Sequence, residues 1–331
     1  MTTPPPLLAR TPFAVFASIM GLGGLAAAWF QASVRLGAPQ GIASALLGIA
    51  AVVWLGLVAV QIARLVSYPQ AVRRELSDPF PVVFLATLSV GTLVLCAAAL
   101  PLLGGAIAWV WWPAMVGHLA ISVHVFGAWL ARTDINLTTL SPAWFIPVVG
   151  TMVASFAGAS IAPTGLAMAL WGLGFLLWFS LQPIVLRRIF VHDEVLPARI
   201  VPTLAVLIAP APVALIGWHA LIDGPVNSGY APVLSVMRSA TPLVDATLLA
   251  TGMLFLALVV LPRNRLWSSP FTLTWWATTF PVAALANASI IVFSSVAPWA
   301  AWVSLSLATV WIGYVLTRSL VSLNRDAAAF I

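Results

Sequence analysis

The chain has no lysine and only one cysteine, Cys96, and charged side chains make up just 7% of its 331 residues. A lone cysteine rules out an intramolecular disulfide and a thiolate metal site. Soluble domains carry roughly 25% charged residues, so this composition excludes a water-soluble globular protein. Also missing are a Ser/His/Asp cluster, a zinc-protease motif and a phosphate-cradling glycine loop, which argues against an enzyme and against a bound cofactor. No basic surface interleaved with aromatics is present, so nucleic acid is not an expected partner.

What is present is apolar: 62% of the residues are hydrophobic, in runs of about 20 that suit the thickness of a bilayer. Between breakers, ten candidate helices fall at 13–34, 42–63, 80–101, 107–130, 143–162, 165–187, 203–222, 241–261, 271–294 and 299–321. They are hydrophobic all round, as membrane helices are. The expected fold is an all-α polytopic membrane protein, one domain over 1–331 with short tails at about 1–12 and 322–331. "MTTPPPLLAR" reads as such a tail, followed by a retained first span rather than a cleaved leader.

The loops alternate in polarity. Those after spans 2, 4, 6 and 8 hold the polar residues, and those after spans 1, 3, 5 and 9 are short and nearly uncharged, so the chain reads as five helical hairpins. All fourteen basic residues are arginine. Arg10, Arg64, Arg73, Arg74, Arg132, Arg187, Arg188, Arg199, Arg263, Arg265, Arg318 and Arg325 fall on one side, and only Arg35 and Arg238 on the other. Positive loops stay cytoplasmic, which puts both termini there. Trp29, Trp109, Trp111, Trp112, Trp144 and Trp299, near span ends, are expected to form an interfacial belt.

Several odd-numbered spans are interrupted by Pro or Gly: "SIMGLGGLA", "FIPVVGT", "IAPAPVA" and "TFPVAALA"; the third, "FLATLSVGTL", has Gly91 instead of a proline. A proline inside a helix removes one amide donor, and at Pro281 the carbonyl left over is that of Ala277. In hydrocarbon such a group must be satisfied by protein or water. Recurrent interruptions therefore point to helices gathered around a shared pathway, whereas a single one is a packing device. Phe280 lies near the middle of its span, followed by the small Ala283, Ala284 and Ala286. This arrangement fits a hydrophobic plug, and spacing alone leaves open a ring packed between helices or against lipid.

Ionisable groups in membrane spans are functional suspects. His118 and His124 are six residues apart, about 240° around a helix, and cannot share a metal ion. Asp245 reads as a first-turn acid after a Thr241 cap and Pro242, with Arg238 as its expected partner. Apart from His219, the odd spans are nearly free of ionisable residues, which favours a passive channel over a proton-coupled carrier. No positive site inside the pathway is visible in the sequence.

"TWWATTFPVAALAN" in the ninth span, "SPAWFIPVVGT" at the start of the fifth, "LIAPAPVA" in the seventh and "GLGGLAAAWF" in the first resemble the tellurite-resistance/C4-dicarboxylate transporter family. That family includes the bacterial TehA proteins and the plant guard-cell slow anion channels. The resemblance implies a homotrimer in a bacterial inner membrane, each protomer with its own pore. Five inner, proline-kinked odd helices would line the pore inside a ring of even ones. By motif the closing residue is Phe280, and Pro147 and Pro210 match kink prolines. The first span lacks the expected proline, so Gly21, Gly23 and Gly24 would bend it. Gly21, Gly24, Thr87, Gly91, Pro147, Gly150, Pro210, Pro281 and Ala284 are the candidate lining and kink positions. The implied function is an anion channel or transporter for small monovalent anions or C4-dicarboxylates. The alternatives are a proton-coupled C4-dicarboxylate, tellurite or toxic-compound carrier, and a non-conducting sensor or scaffold.

Overall fold

The computed structural model describes residues 6–78, 80–132, 140–191, 196–225, 228–261 and 263–330, and these contain helices and no strand. In chain order the helices are α1 (Leu7–Arg10), α2 (Ala17–Leu36), α3 (Gln40–Ser67), α4 (Pro69–Ser77), α5 (Leu85–Leu103), α6 (Ala108–Leu130) and α7 (Phe145–Ile161). They continue with α8 (Thr164–Phe190), α9 (Pro210–Asp223), α10 (Ala231–Val260), α11 (Arg263–Trp267), α12 (Thr279–Phe293) and α13 (Pro298–Phe330). The run Pro81–Leu130 is 50 residues long, about 75 Å if it were straight and far more than one bilayer. It turns back at Gly104, whose φ of 52° is one that L side chains rarely adopt, so α5 and α6 pack against each other.

Burial alternates along the chain and separates two layers. In the most apolar 18 residues of α3, α8, α10 and α13, only 11%, 22%, 28% and 28% are buried. The corresponding shares for α2, α7 and α12 are 72%, 83% and 72%, and for α9 with the turn before it 89%. In α5 nearly everything from Ala86 to Ala99 is buried, whereas α6 buries only the stripe Trp111, Met115, His118, Ser122 and Val125. That stripe advances by four and three residues, one face of a helix. The inner helices pack in the order α2, α5, α7, α9, α12 and close back onto α2, and each also packs on the outer helix that follows it. The outer helices expose residues such as Val52, Trp109, Phe179, Leu243 and Val310, which suits a lipid surround.

Every inner helix begins with a 3-10 segment: Phe13–Phe16, Pro81–Phe84, Pro142–Trp144, Ala198–Ile208 and Leu273–Thr278. A polar residue and a proline open four of them in sequence, at Thr11-Pro12, Asp78-Pro79, Ser141-Pro142 and Ser269-Pro270. Proline presets φ and has no amide to leave unbonded. Hydroxyls then bond back three residues to carbonyls at these junctions. Ser18 donates to Val15 O at 2.6 Å, Thr87 to Phe84 O at 2.6 Å, Thr203 to Ile200 O at 2.6 Å and Thr278 to Trp275 O at 2.7 Å. This keeps the backbone satisfied where water is absent.

The expected mid-helix kinks are corrected accordingly. Pro147 and Pro281 are the third residues of α7 and α12, and Pro210 is the first of α9. Each stands in a first turn, where a missing amide costs little. The bend is a change of winding from 3-10 to α, not a break inside an α-helix.

Two other expectations change. α10 starts at Ala231, so Thr241 lies within the helix and donates to Met237 O at 3.0 Å instead of capping it. Trp111 and Trp144 are buried, with Trp111 Nε1 donating to Ala154 O at 3.0 Å, and Trp29 Nε1 donates to Thr309 Oγ1 at 3.1 Å. Trp109, Trp112 and Trp299 are the exposed members of that set. Finally, the first 3-10 segment is latched from outside: Glu75 accepts from Phe13 N at 2.8 Å and pairs with the buried Arg64 at 2.6 Å.

Candidate functional site

Three cavities lie along the axis enclosed by the inner helices. At the arginine-rich end, a mouth of about 180 Å³ is lined by Pro12, Ala17, Phe84, Arg199, Thr274 and Ala277. Next comes a narrow cavity of about 30 Å³, to which every inner helix contributes: Met20, Thr87, Val149, Ala209 at the start of α9, and Phe280. Its volume is roughly one water molecule's share of the liquid, and its walls are almost wholly apolar. At the opposite end a vestibule of about 280 Å³ is again lined by all five, through Arg35, Pro101, Ser160, His219 and Asn287 among others.

Between the narrow cavity and the vestibule the helices touch. The last α2 residue of the narrow cavity is Met20 and the first of the vestibule is Ala27. On α7 the pair is Val149 and Phe156, and on α12 it is Pro281 and Asn287. Six or seven residues are about two turns, or roughly 10 Å, of closed packing. Phe280, 5% exposed, lies at the narrow-cavity edge of this seal. A Cβ on Gly24 would stand 3.3 Å from a ring carbon of Phe280, so the ring occupies the space that glycine leaves.

The other candidate positions divide into two groups. Thr87 and Pro281 line the narrow cavity with Phe280. Thr87 Oγ1 also bonds Phe13 O at 2.8 Å, tying α5 to the start of the first inner helix. Gly21 lies against Thr279, Gly91 against Ile19 and the Phe16 carbonyl, and Gly150 against the His118 ring and Val90. These glycines, candidate lining positions by sequence, instead allow helices to approach closely. Ala284 is buried in the core, and Pro147 offers its carbonyl to His118 Nε2 at 3.1 Å and Ser122 Oγ at 3.2 Å. His118 also meets Ser89 Oγ at 2.9 Å, so it pins outer α6 to inner α5 and α7, while His124 is exposed.

The vestibule overturns the expectation of a pathway almost without charge. His219 Nε2 pairs with Asp245 Oδ1 at 2.8 Å, and the two side chains are only 13% and 17% exposed. Arg238, the expected partner of Asp245, instead donates to Ile222 O at 2.6 Å. Arg35 reaches across to Ile291 O at 3.5 Å and to Asp223 at 3.8 Å. Asn287 is 9% exposed and its Oδ1 has no partner. Arg35 and Asn287 were not among the candidate positions, although both left a trace in the sequence. Arg35 is one of two arginines away from the arginine-rich side, and Asn287 follows Phe280 by seven residues, two turns along the same helical face.

Among known proteins, the family profile described as SLAC1, voltage-dependent anion channel, matches residues 10–320. An uncharacterized transporter of Methanocaldococcus jannaschii is 26% identical over 292 residues, covering 84% of this chain and 83% of its own. The S-type anion channel SLAH3 of Arabidopsis thaliana is 22% identical over 293 residues, 86% of this chain and 43% of that longer protein. A sulfite efflux pump of Arthroderma otae is 22% identical over 268 residues, 72% of this chain and 70% of the pump. With its axial cavities enclosed by five buried helices and a family match over nearly its whole length, the chain is a multi-pass membrane protein that belongs to the voltage-dependent anion channel family.

Proposed function

We propose that this protein is a passive channel for small anions whose path follows the axis of the inner helices and is closed by Phe280. The observation that carries this reading is the pair of cavities, each lined by all five inner helices, on either side of a seal that has Phe280 at its edge. Charge stands at the ends of the path, with Arg199 at one mouth and Arg35 at the other, and the seal itself is apolar. An ion entering a dry apolar seal loses hydration without compensation, so the closed state blocks by dewetting. Arg199 and Arg35 give an anion a positive group in each approach, Arg35 beside the exposed Asp223 carboxylate, and the names of the relatives, anion channels and a sulfite pump, agree with that class.

The topology that goes with this reading has ten spans in five hairpins within one domain over 1–331, with the arginine-rich end in the cytoplasm of a bacterial cell. We also propose the homotrimer. Ser77→Cys and Gly229→Cys should label from opposite sides of the membrane, with the buried Cys96 silent, and labelling of both from one side would defeat the topology. Cross-linking in native membranes should stop at the trimer.

The deciding experiment is the anion current of purified protein in liposomes, with chloride, nitrate and malate tested in turn. Wild type should conduct little, and Phe280→Ala should conduct strongly. A pure lipid-like background from well-folded Phe280→Ala would end the channel reading. His219 on the vestibule wall pairs with Asp245, which lines a lateral groove, and this pair supports a second reading, a proton-coupled carrier. In that case a pH gradient alone would drive anion accumulation, and Asp245→Asn would abolish it.

A further inference from the structure

We propose that the vestibule contains a binding site for a small oxyanion, formed by Arg35 of α2 and Asn287 of α12. This proposal rests on the axial-path reading and names a ligand station within it, about two turns beyond Phe280.

The first observation is Asn287. It lines the vestibule, is 9% exposed, and its Oδ1 is enclosed without a hydrogen-bond donor. With Oδ1 shut in, Nδ2 is the polar end available to the cavity. A buried carboxamide that leaves bonding capacity unused is costly. An anion cannot satisfy the enclosed Oδ1, itself an acceptor; what Asn287 offers a chamber of about 280 Å³ is its Nδ2 donors.

The second observation is the state of Arg35. A guanidinium has five N–H donors, yet the contacts here are long: 3.5 Å to the carbonyl of Ile291 and 3.8 Å to the Asp223 carboxylate. The latter is beyond hydrogen-bond distance, and the Asp223 side chain is 62% exposed, so water screens it. The guanidinium is therefore steered but not consumed. Ile291 is one turn past Asn287 on α12, and both line the cavity, so Arg35 reaches the wall next to the unbonded amide.

The chemistry of the two groups selects the ligand. A guanidinium fork presents paired, coplanar N–H donors that match two oxygens of one anion, and the Nδ2 amide adds a donor from another direction. An anion with several oxygens uses all of these donors, whereas a spherical halide uses the charge and little of the geometry. The positive side chain stands at the wide end of the path, where an ion is still partly hydrated and occupancy is inexpensive. Only from there does it meet the dry seal.

The test uses nitrate and chloride as probes, in two arms. In the first, nitrate and chloride fluxes are measured against concentration in liposomes containing Phe280→Ala protein. Adding Asn287→Leu, similar in volume, should raise the half-saturating nitrate concentration about fivefold and change chloride less than about twofold. Arg35→Lys keeps the charge and should retain chloride flux while losing the nitrate preference. Equal effects on both ions, or none, would overturn the site and leave the channel reading intact.

The second arm does not depend on conduction. Melting of the wild-type protein in detergent is followed against added nitrate or chloride, with gluconate holding ionic strength constant. A ligand that binds the folded state raises the melting temperature saturably. Nitrate should do so for wild type and not for Asn287→Leu or Arg35→Gln, while both variants melt normally without added anion. If Phe280→Ala fails to conduct, the channel reading falls and this arm alone judges the site. An identical nitrate response in wild type and Asn287→Leu would refute it.

Discussion

The two halves of the axis are built from the same five helices and are chemically opposite. Toward the arginine-rich end Phe84 and Trp276 of the 3-10 segments, with Phe145 and Phe280 from the first turns of α7 and α12, surround a space of about 30 Å³. Toward the other end the same helices, now wound as α, diverge around about 280 Å³ and present Arg35, Asp223, His219 and Asn287. In the proposed channel the tight, apolar end closes the path and the wide, charged end discriminates among ions. A single ring of helices can do both because its winding changes at Pro147, Pro210 and Pro281, near the start of each α segment.

That division gives its sharpest test at Phe280. Phe280→Ala should raise anion conductance by about tenfold or more, since only an apolar obstacle is removed and a desolvation barrier is lowered. Phe280→Leu should fall between, because leucine fills part of the same volume. Phe293, on the same helix but lining a lateral groove with Asp245 and Val296, is the control, and Phe293→Ala should leave conductance low. Truncating a buried phenylalanine costs roughly 3–5 kcal/mol, so melting and oligomeric state are measured on each protein before currents are compared. Equal currents from well-folded Phe280→Ala and wild type would make this residue packing and erase the contrast between the halves.

A smaller effect is expected where the helices meet away from the axis. Gly150 has the His118 ring and Val90 so close that an added methyl must displace them. Gly150→Ala should lower stability by about 1–3 kcal/mol, read as a lower melting temperature in detergent. The conductance of the protein that remains folded should be unchanged. Adding His118→Ala should restore part of the loss, since one of the two obstacles is then gone. A change in conductance without a change in melting would place Gly150 on the path.

Much of the layering was legible in the sequence, because burial in a bilayer writes itself as composition. Long apolar runs gave the spans, and interrupted odd runs marked the helices that turned out to be buried. Two things were not legible. Proline spacing marks an interruption but not its kind, so Pro281 read as a kink when it stands in the first turn of an α segment after a 3-10 turn. The opening pattern, Thr11-Pro12, Ser141-Pro142 and Ser269-Pro270 before aromatic residues, carried that information and was visible only once the turns were seen. The vestibule was hidden for a different reason. His219 and Asp245 sit 26 residues apart on an inner and an outer helix, and nothing in either local sequence announces the other. Arg35 read as a topology marker, the ordinary role for an arginine at the end of a span.

The smallest effect is expected at Asp245, and it decides whether the wide half merely tunes or also drives transport. Asp245 faces His219 on α9 at 2.8 Å, and Arg238 stands on its own helix with its guanidinium on Ile222 O. Asp245→Asn keeps the shape and a hydrogen-bond acceptor for the imidazole while removing one negative charge beside His219 of the vestibule. For a passive channel this charge is only part of the field felt by an anion near Arg35. Anion flux with equal pH on both sides should then rise slightly, by less than about twofold, as expected for a partly solvated charge. A carrier is different in kind. If the pair must gain and lose a proton in each cycle, Asp245→Asn would leave exchange of labelled anion largely intact and abolish accumulation driven by a pH gradient. The measurement is therefore labelled-anion uptake with and without a pH gradient, wild type beside variant. Wild type that never concentrates the anion beyond the membrane potential, together with a variant that differs little from it, leaves the wide half as a selecting vestibule. Gradient-driven uptake lost on this one substitution would make it the motor.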